Sequence, residues 1–282
     1  MNLNLILQGL TPDRPAIERI AAMANAERVA PIDQHAYRCT GVQYSPALKE
    51  RLEAECLAAR LDATFVEAGR KLTDFKLVAM DMDSTLITIE CIDEIADMQG
   101  LKSQVAEITE AAMRGEIEFK ESLTRRVSLL KGLDAGALQR VYDERLQLSL
   151  GAEPMLEAIR TAGLKTLLVS GGFTFFTDRM KARLGLDYTH SNVLEIVDGK
   201  LTGRVIGGIV DAEEKKRTVE RVCAELGITP QQAIVMGDGA NDLQMMRISG
   251  LSVAFRAKPV VRAQADVALN FVGLDGILRL FE

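Results

Sequence analysis

The chain has 282 residues, 48% of them apolar, and a net charge of −6. It is long enough for two domains of roughly 100–200 residues each and apolar enough to bury a substantial core. Acidic balance without a long basic block argues against nonspecific nucleic-acid binding, and no apolar run of about eighteen residues marks a membrane helix. Met1-Asn2-Leu3-Asn4 lacks the basic region of a signal peptide. Cys39, Cys56, Cys91 and Cys223 form no CxxC pair and no zinc spacing, so they read as free, buried thiols of a cytoplasmic protein.

Residues 1–71 read as a small α/β unit. Leu3–Leu10 alternates like a strand, and Thr11-Pro12-Asp13 opens a helix running to about Asn25. Val29–Gln34 and Ala36–Gln43 follow as strands, and Pro46–Leu61 as a helix with Leu48, Leu52 and Cys56 on one stripe. Ala63–Ala68 is a last strand. The order βαββαβ is ferredoxin-like. No cluster of nucleophile, base or metal ligands lies in it, so it reads as a structural or dimerisation module, or as a ligand sensor.

From Phe75 the pattern turns to strand, helix, strand, which implies a parallel sheet of Rossmann-like type in residues 72–282. Strands are expected at Leu77–Met80, Lys165–Val169, Ala233–Met236, Leu251–Phe255 and Val267–Leu269. A helical insert fills about Glu90 to Leu150, broken at Gly100, Gly115 and Gly132 into several short helices. Placed after the first strand, it can cover the carboxyl edge of the sheet as a lid. Val193–Val197, the turn Asp198-Gly199 and Lys200–Val205 form a β-hairpin.

Three segments carry chemistry and meet at that edge. Asp81-Met82-Asp83-Ser84-Thr85 follows the first strand and, by strand alternation, sends Asp81 and Asp83 to the same side. One carboxylate can be a nucleophile or metal ligand while the other carries a proton. Ser170-Gly171-Gly172 follows the second strand and, at a helix start, is an anion cradle. Gly237-Asp238-Gly239-Ala240-Asn241-Asp242 follows the third, and its oxygen donors suit Mg²⁺. Lys215 lies in the run Glu213-Glu214-Lys215-Lys216-Arg217, which by itself reads as a solvated face. Arg126 shares a helix face with Phe119, Leu123, Val127 and Leu130, whereas Arg125 does not. A guanidinium on an apolar face needs an anion, either Glu90 or Glu107 or a substrate carboxylate. Glu90, at the insert's entrance, is either a helix-start carboxylate or a ligand for an ammonium group. His35 and His190 neighbour none of these loops.

In order, Asp81-Met82-Asp83-Ser84-Thr85, Ser170-Gly171-Gly172, Lys215 and Gly237-Asp238-Gly239-Ala240-Asn241-Asp242 resemble the four motifs of haloacid dehalogenase superfamily phosphatases. Glu90-Cys91-Ile92-Asp93-Glu94-Ile95-Ala96 and Ser122-Leu123-Thr124-Arg125-Arg126-Val127-Ser128-Leu129-Leu130 resemble the cap signatures of the phosphoserine phosphatase family within it. The resemblance spans roughly Phe75 to Ala265, and residues 1–71 are similar to ACT-type modules.

The resemblance implies that Asp81 is the nucleophile and Asp83 the general acid and base. It implies a Mg²⁺ held by Asp81, Asp83 and Asp238, with Asp242 supporting them. Ser170, Gly171, Lys215 and Asn241 would bind the phosphoryl group, Glu90 the substrate ammonium and Arg126 its carboxylate, with Met113 and Phe119 as an apolar wall. The implied activity is hydrolysis of O-phospho-L-serine, the last step of serine biosynthesis, in a chain that dimerises through its N-terminal module. Two alternatives keep the mechanism: another small phosphomonoester, or phosphoryl transfer to homoserine. A third is a catalytically silent amino-acid sensor. Gln244 stands where some relatives have proline, and spacing to Asp238 favours Lys215 over Lys216.

Overall fold

A computed structural model of the chain describes residues 3–113 and 116–282, and only the backbone of Met113. The elements run β1 (Leu3–Gln8), α1 (Arg14–Met23), β2 (Arg28–Asp33), β3 (Ala36–Thr40), α2 (Pro46–Ala59), β4 (Asp62–Glu67) and β5 (Leu77–Met80). Four cap helices follow: α3 (Cys91–Asp97), α4 (Lys102–Met113), α5 (Phe119–Leu129) and α6 (Gly136–Glu144). The chain then continues through α7 (Ala152–Thr161), β6 (Lys165–Phe173), α8 (Thr174–Leu184), β7 (Tyr188–Val197), β8 (Lys200–Ile206) and α9 (Ala212–Glu225). It closes with β9 (Ala233–Gly237), α10 (Leu243–Arg247), β10 (Leu251–Phe255), α11 (Pro259–Arg262), β11 (Val267–Leu269) and a 3₁₀ segment, Leu274–Leu280.

Seven strands form one sheet in the order β11-β10-β9-β5-β6-β7-β8, parallel except for the β7–β8 hairpin. Its strands β5 and β9 are buried on both faces, which is why they read as unbroken apolar runs. Val78 and Met80 face one core, with α7 and the cap, while Leu77 and Ala79 face another, with α9 and α10. Met80 is level with Leu168 of β6 and with Met236 of β9. The three strands therefore lie side by side and run to one edge, where open α/β sheets bind ligands.

The cap is stitched at its neck. Ile87 and Leu148 form an antiparallel bridge, and the Thr88 amide donates to the Gln147 carbonyl at 2.9 Å. Gly100 and Gly132 take φ of +69° and +84° at two of the breaks expected from sequence, a conformation other residues adopt only with strain. The third, Gly115, lies outside the described residues.

Residues 3–67 form a four-stranded antiparallel sheet of order β2-β3-β1-β4, which fits the expected ferredoxin-like fold. Leu5 and Leu7 pack on α1 and α2, whose Leu48, Leu52 and Cys56 are buried as the stripe required. On the opposite face, Ile6 and Val66 belong to the core shared with the larger sheet. Asp62, 2% exposed, accepts the backbone amides of Asn270, Phe271 and Val272 at 2.8–3.2 Å. Arg279 reaches Asp33 at 2.7 Å, and Arg38 donates to the Phe281 carbonyl at 2.7 Å.

Three sequence expectations change. β6 runs on to Phe173, so Ser170-Gly171-Gly172 is the irregular end of a strand and α8 begins only at Thr174. β7 begins at Tyr188, pairing parallel with β6 before it turns into the hairpin. Its first half carries the polar run Thr189-His190-Ser191-Asn192, which hides it from an apolar pattern. The segment after Leu269, unassigned from sequence, supplies much of the surface on which the smaller sheet rests.

Candidate active site

Strand β5 stops at Met80, and Met82–Leu86 is a single wide turn. Asp81 and Asp83 both line the cavity because of that turn, with Met82 fully buried between them, rather than through strand alternation. Within the turn Ser84 has φ of +55°, a left-handed backbone held by a hydrogen bond from its amide to the Ile89 carbonyl. Its hydroxyl donates to Glu90 Oε1 at 2.6 Å, linking the first catalytic-type loop to the cap.

The cavity over this edge measures about 940 Å³. Asp81, Asp83, Ser170, Gly171, Asp238 and Asn241 form its floor; Glu90, Phe119 and Arg126 line it from the cap. Of the residues singled out from sequence, Met113 has its side chain outside what is described. Lys215 corrects the solvated-face expectation from its charge run. It is wholly buried, and its Nζ lies 2.8 Å from Asp81 Oδ1 and 2.8 Å from Asp242 Oδ1. Helix α9 turns one residue of the run inward, while Lys216 pairs with Glu220 outside. Burial opposes the charge on Lys215, but Asp242 and Asp81 outweigh it and hold the ammonium above its ordinary pKa.

Asp242 also accepts the Gly239 amide at 3.1 Å, and Thr85 donates to Asp238 at 3.2 Å. Carboxylate oxygens of Asp81, Asp238 and Asp242 all lie within 4.8 Å of one another. An all-oxygen set of this kind fits a hard divalent cation. Burial and then the charge of Glu90 push the Asp83 carboxyl up to about 8; burial and then Asp242 push Asp238 up to about 7.

The strand end at Ser170-Gly171-Gly172 is defined by close approach. A Cβ on Gly172 would sit 3.1 Å from Asp83 Oδ2 and 3.0 Å from Ser170 Oγ, and one on Gly171 3.2 Å from the ring tip of Phe119. Asn192, absent from the sequence expectations, holds this strand end: its side chain donates to the Gly171 carbonyl at 2.7 Å and accepts the Val210 amide at 2.8 Å. Nothing in a lone buried asparagine within an unrecognised strand signals that role.

On the cap, Arg126 faces the carboxylates of Asp93, Glu90 and Asp83, and burial lowers its pKa against their attraction. Arg125 turns away and pairs with Glu121, as the helix face required. Burial raises the carboxyls of both Glu90 and Asp93. Asp93 and Ser122 also line the cavity, and so does Lys258 from the loop after β10; none of the three came from the sequence expectations.

An acidic edge loop, a lysine locked between two aspartates and an inserted helical cap define a hydrolase of the phosphoryl-transfer type. Residues 75–250 match the model of the haloacid dehalogenase-like hydrolases. The chain is 61% identical over 215 residues to the phosphoserine phosphatase of Polaromonas sp., covering 74% of this chain and 91% of that one. The unliganded probable phosphoserine phosphatase of Vibrio cholerae superposes with a TM-score of 0.84 at 36% identity, covering 98% of this chain and 85% of that one. A substrate-bound phosphoserine phosphatase complex superposes with a TM-score of 0.69 at 38% identity, over 74% of this chain and 99% of that one. The chain belongs to the haloacid dehalogenase-like hydrolases, in company with their phosphoserine phosphatases. Phosphatases of this family use a divalent metal, which the three aspartates fit.

Proposed function

We propose that the protein hydrolyses O-phospho-L-serine to L-serine and phosphate, the last step of serine biosynthesis, with Mg²⁺ as its metal. The observation that carries this reading is a single cavity with the Asp81–Lys215–Asp242 ion cluster behind its floor and Glu90 opposite Arg126 on its cap. The floor suits a phosphoryl group; the two cap charges suit an ammonium and a carboxylate.

In the proposed mechanism Asp81 attacks phosphorus, and the bond from phosphorus to the serine oxygen breaks as Asp83 gives that oxygen its proton. Water then attacks the aspartyl-phosphate, Asp83 takes a proton from it, and phosphate leaves with Asp81 restored. Ser170, Gly171, Lys215 and Asn241 hold the phosphoryl oxygens in line, which is most of what this transfer needs. Phe119 closes the apolar wall. Asp81, the Asp83 backbone carbonyl and Asp238 would hold Mg²⁺, with Asp242 behind them; when bound, it neutralises charge on the phosphoryl oxygens. Residues 1–71 and 72–282 are proposed as two domains, the first of ACT type. Its β2 edge, mostly exposed, supports pairing with a second copy. Four free cysteines support a cytoplasmic location. Among the described residues no helix is long and apolar enough to cross a membrane.

Rates on phosphoserine, phosphothreonine and phosphoglycolate, with Mg²⁺ and after chelation, test the proposal. Preference for phosphoserine, lost with chelator and restored by Mg²⁺, is expected; equal rates on all three would sink the amino-acid assignment.

A further inference from the structure

The cap presents more recognition chemistry than one ammonium ligand and one carboxylate ligand. On α5 the residues lining the cavity are Phe119, Ser122, Leu123 and Arg126, the i, i+3, i+4, i+7 face of a helix. Ser122 is 1% exposed, and its hydroxyl has no hydrogen-bond partner among the described residues. Helical hydroxyls ordinarily satisfy themselves on the preceding turn. The neighbours of Ser122 do so: Thr124 donates to the Lys120 carbonyl and Ser128 to the Arg125 carbonyl, each at 2.7 Å. Ser122 alone on this helix keeps its hydroxyl free, one turn before Arg126.

Asp93 repeats the pattern on α3. It stands three residues after Glu90, on the same side of the helix start. It lines the cavity, and its buried Oδ1 has no hydrogen-bond partner among the described residues, although its carboxylate lies in the field of Arg126. Buried polar atoms left unmatched are costly, so these two, on the cap residues that line the cavity, call for a ligand that completes them, as the floor's Asp83 Oδ1 also does.

We propose that Ser122 and Asp93 are specificity-determining residues for the amino-acid head group: Ser122 donates to the substrate carboxylate beside Arg126, and Asp93 shares the substrate ammonium with Glu90. This rests on the phosphoserine reading above and deepens it. Four groups then read the zwitterion, two for each charge. The arrangement rejects phosphomonoesters lacking either charge, because a missing partner leaves a buried group unpaired.

The test uses the full chain, Ser122→Ala and Asp93→Asn, and three substrates: phosphoserine, phosphoethanolamine (no carboxylate) and 3-phosphooxypropionate (no ammonium). Loss of a hydrogen bond to a charged group is worth about tenfold. Ser122→Ala is expected to lower kcat/KM about tenfold on phosphoserine and 3-phosphooxypropionate, chiefly through KM, and to leave phosphoethanolamine unchanged. Asp93→Asn is expected to lower it on phosphoserine and phosphoethanolamine and to spare 3-phosphooxypropionate. The spared substrate in each case reports that the variant is folded. Equal losses on all three substrates, or no loss on phosphoserine, would overturn the assignment. A wild-type enzyme indifferent to the three substrates would instead overturn the phosphoserine reading on which it rests.

Discussion

The floor and the cap of the cavity are built on opposite terms. On the floor most charges already have a protein partner: Lys215 bridges Asp81 and Asp242, Asp242 accepts the Gly239 amide, and Asp238 accepts Thr85, whereas Asp83 Oδ1 has no hydrogen-bond partner among the described residues. On the cap, Ser122 Oγ and one oxygen of Asp93 are buried without a hydrogen-bond partner among the described residues, and Arg126 faces three carboxylates through space. A preorganised floor performs electrostatic work at no reorganisation cost when the reaction occurs. On the proposed reading the cap instead leaves groups for the substrate head group to complete. Chemistry and selectivity are thus carried by different segments of chain, and substitutions in each should fail differently.

The largest effect is expected at the floor. Asp81→Asn removes the proposed nucleophile and should lower kcat by on the order of 10⁴-fold or more, measured by phosphate release. Near-normal turnover would rule out covalent transfer to Asp81. Lys215→Met tests the floor's self-sufficiency. It leaves Asp81 and Asp242 buried without their cation, and breaking such a pair costs about 3–5 kcal/mol. A lower denaturation midpoint, together with lost activity, is the expected result. Arg126→Ala, on the cap, should raise KM for phosphoserine about 10–100-fold while kcat stays within a few-fold, since one charged hydrogen-bonding group is lost. Should Arg126→Ala instead depress kcat as Asp81→Asn does, the division between floor and cap fails.

How far these regions could be read from sequence follows the same line. The floor's carboxylates stand directly after apolar strands, so local pattern and chemistry coincide at Asp81 and Asp238. Arg126 was legible because helical spacing put it on the Phe119 face. Lys215 was not legible from its neighbours, because charge runs usually face water and only the tertiary fold brings it between Asp81 and Asp242. Asp93 and Ser122 were hidden for a related reason: an aspartate in a first helical turn and a serine in a helix have ordinary local explanations. Their importance lies in what they do not bond, which only three-dimensional packing reveals. In the fold, β7 escaped because its polar first half masks a strand, and the ends of β6 and α8 were misjudged because Gly171-Gly172 resembles a turn. The fold of residues 3–67 was legible from strand alternation, from the helix opened by Thr11-Pro12-Asp13 and from the Leu48, Leu52 and Cys56 stripe.

A second contrast, between the small sheet and the large one, yields the smaller effects. Every proposed site residue lies beyond residue 71, so weakening the contact between the sheets should alter stability and spare chemistry. Asp62→Ala leaves the amides of Asn270, Phe271 and Val272 without their acceptor at a buried contact. A loss of at least ~2 kcal/mol in unfolding free energy is expected, with kcat for phosphoserine nearly unchanged. A large drop in kcat would show that the smaller sheet helps to shape the cavity from a distance.

The mildest prediction concerns Asp33 and Arg279, a partly exposed pair across the same contact. Burial raises the Asp33 carboxyl, but hydrogen bonds from Arg279 and from the His35 amide outweigh it and leave its pKa below the ordinary value. A carboxyl depressed on folding contributes stability that is fully present above its unfolded pKa of about 3.9 and is lost as pH falls through the folded value. In wild-type protein part of the acid-side loss of stability should therefore come from this pair; in Asp33→Asn that part should vanish, flattening the decline below about pH 4. Salt should diminish the difference, since the pair is within reach of solvent. Titrating denaturation midpoints of the two proteins at pH 3–6 measures the effect. Coincident curves would assign the contact to Asp62 and the shared apolar core alone, leaving the ion pair as an exposed contact without stabilising weight.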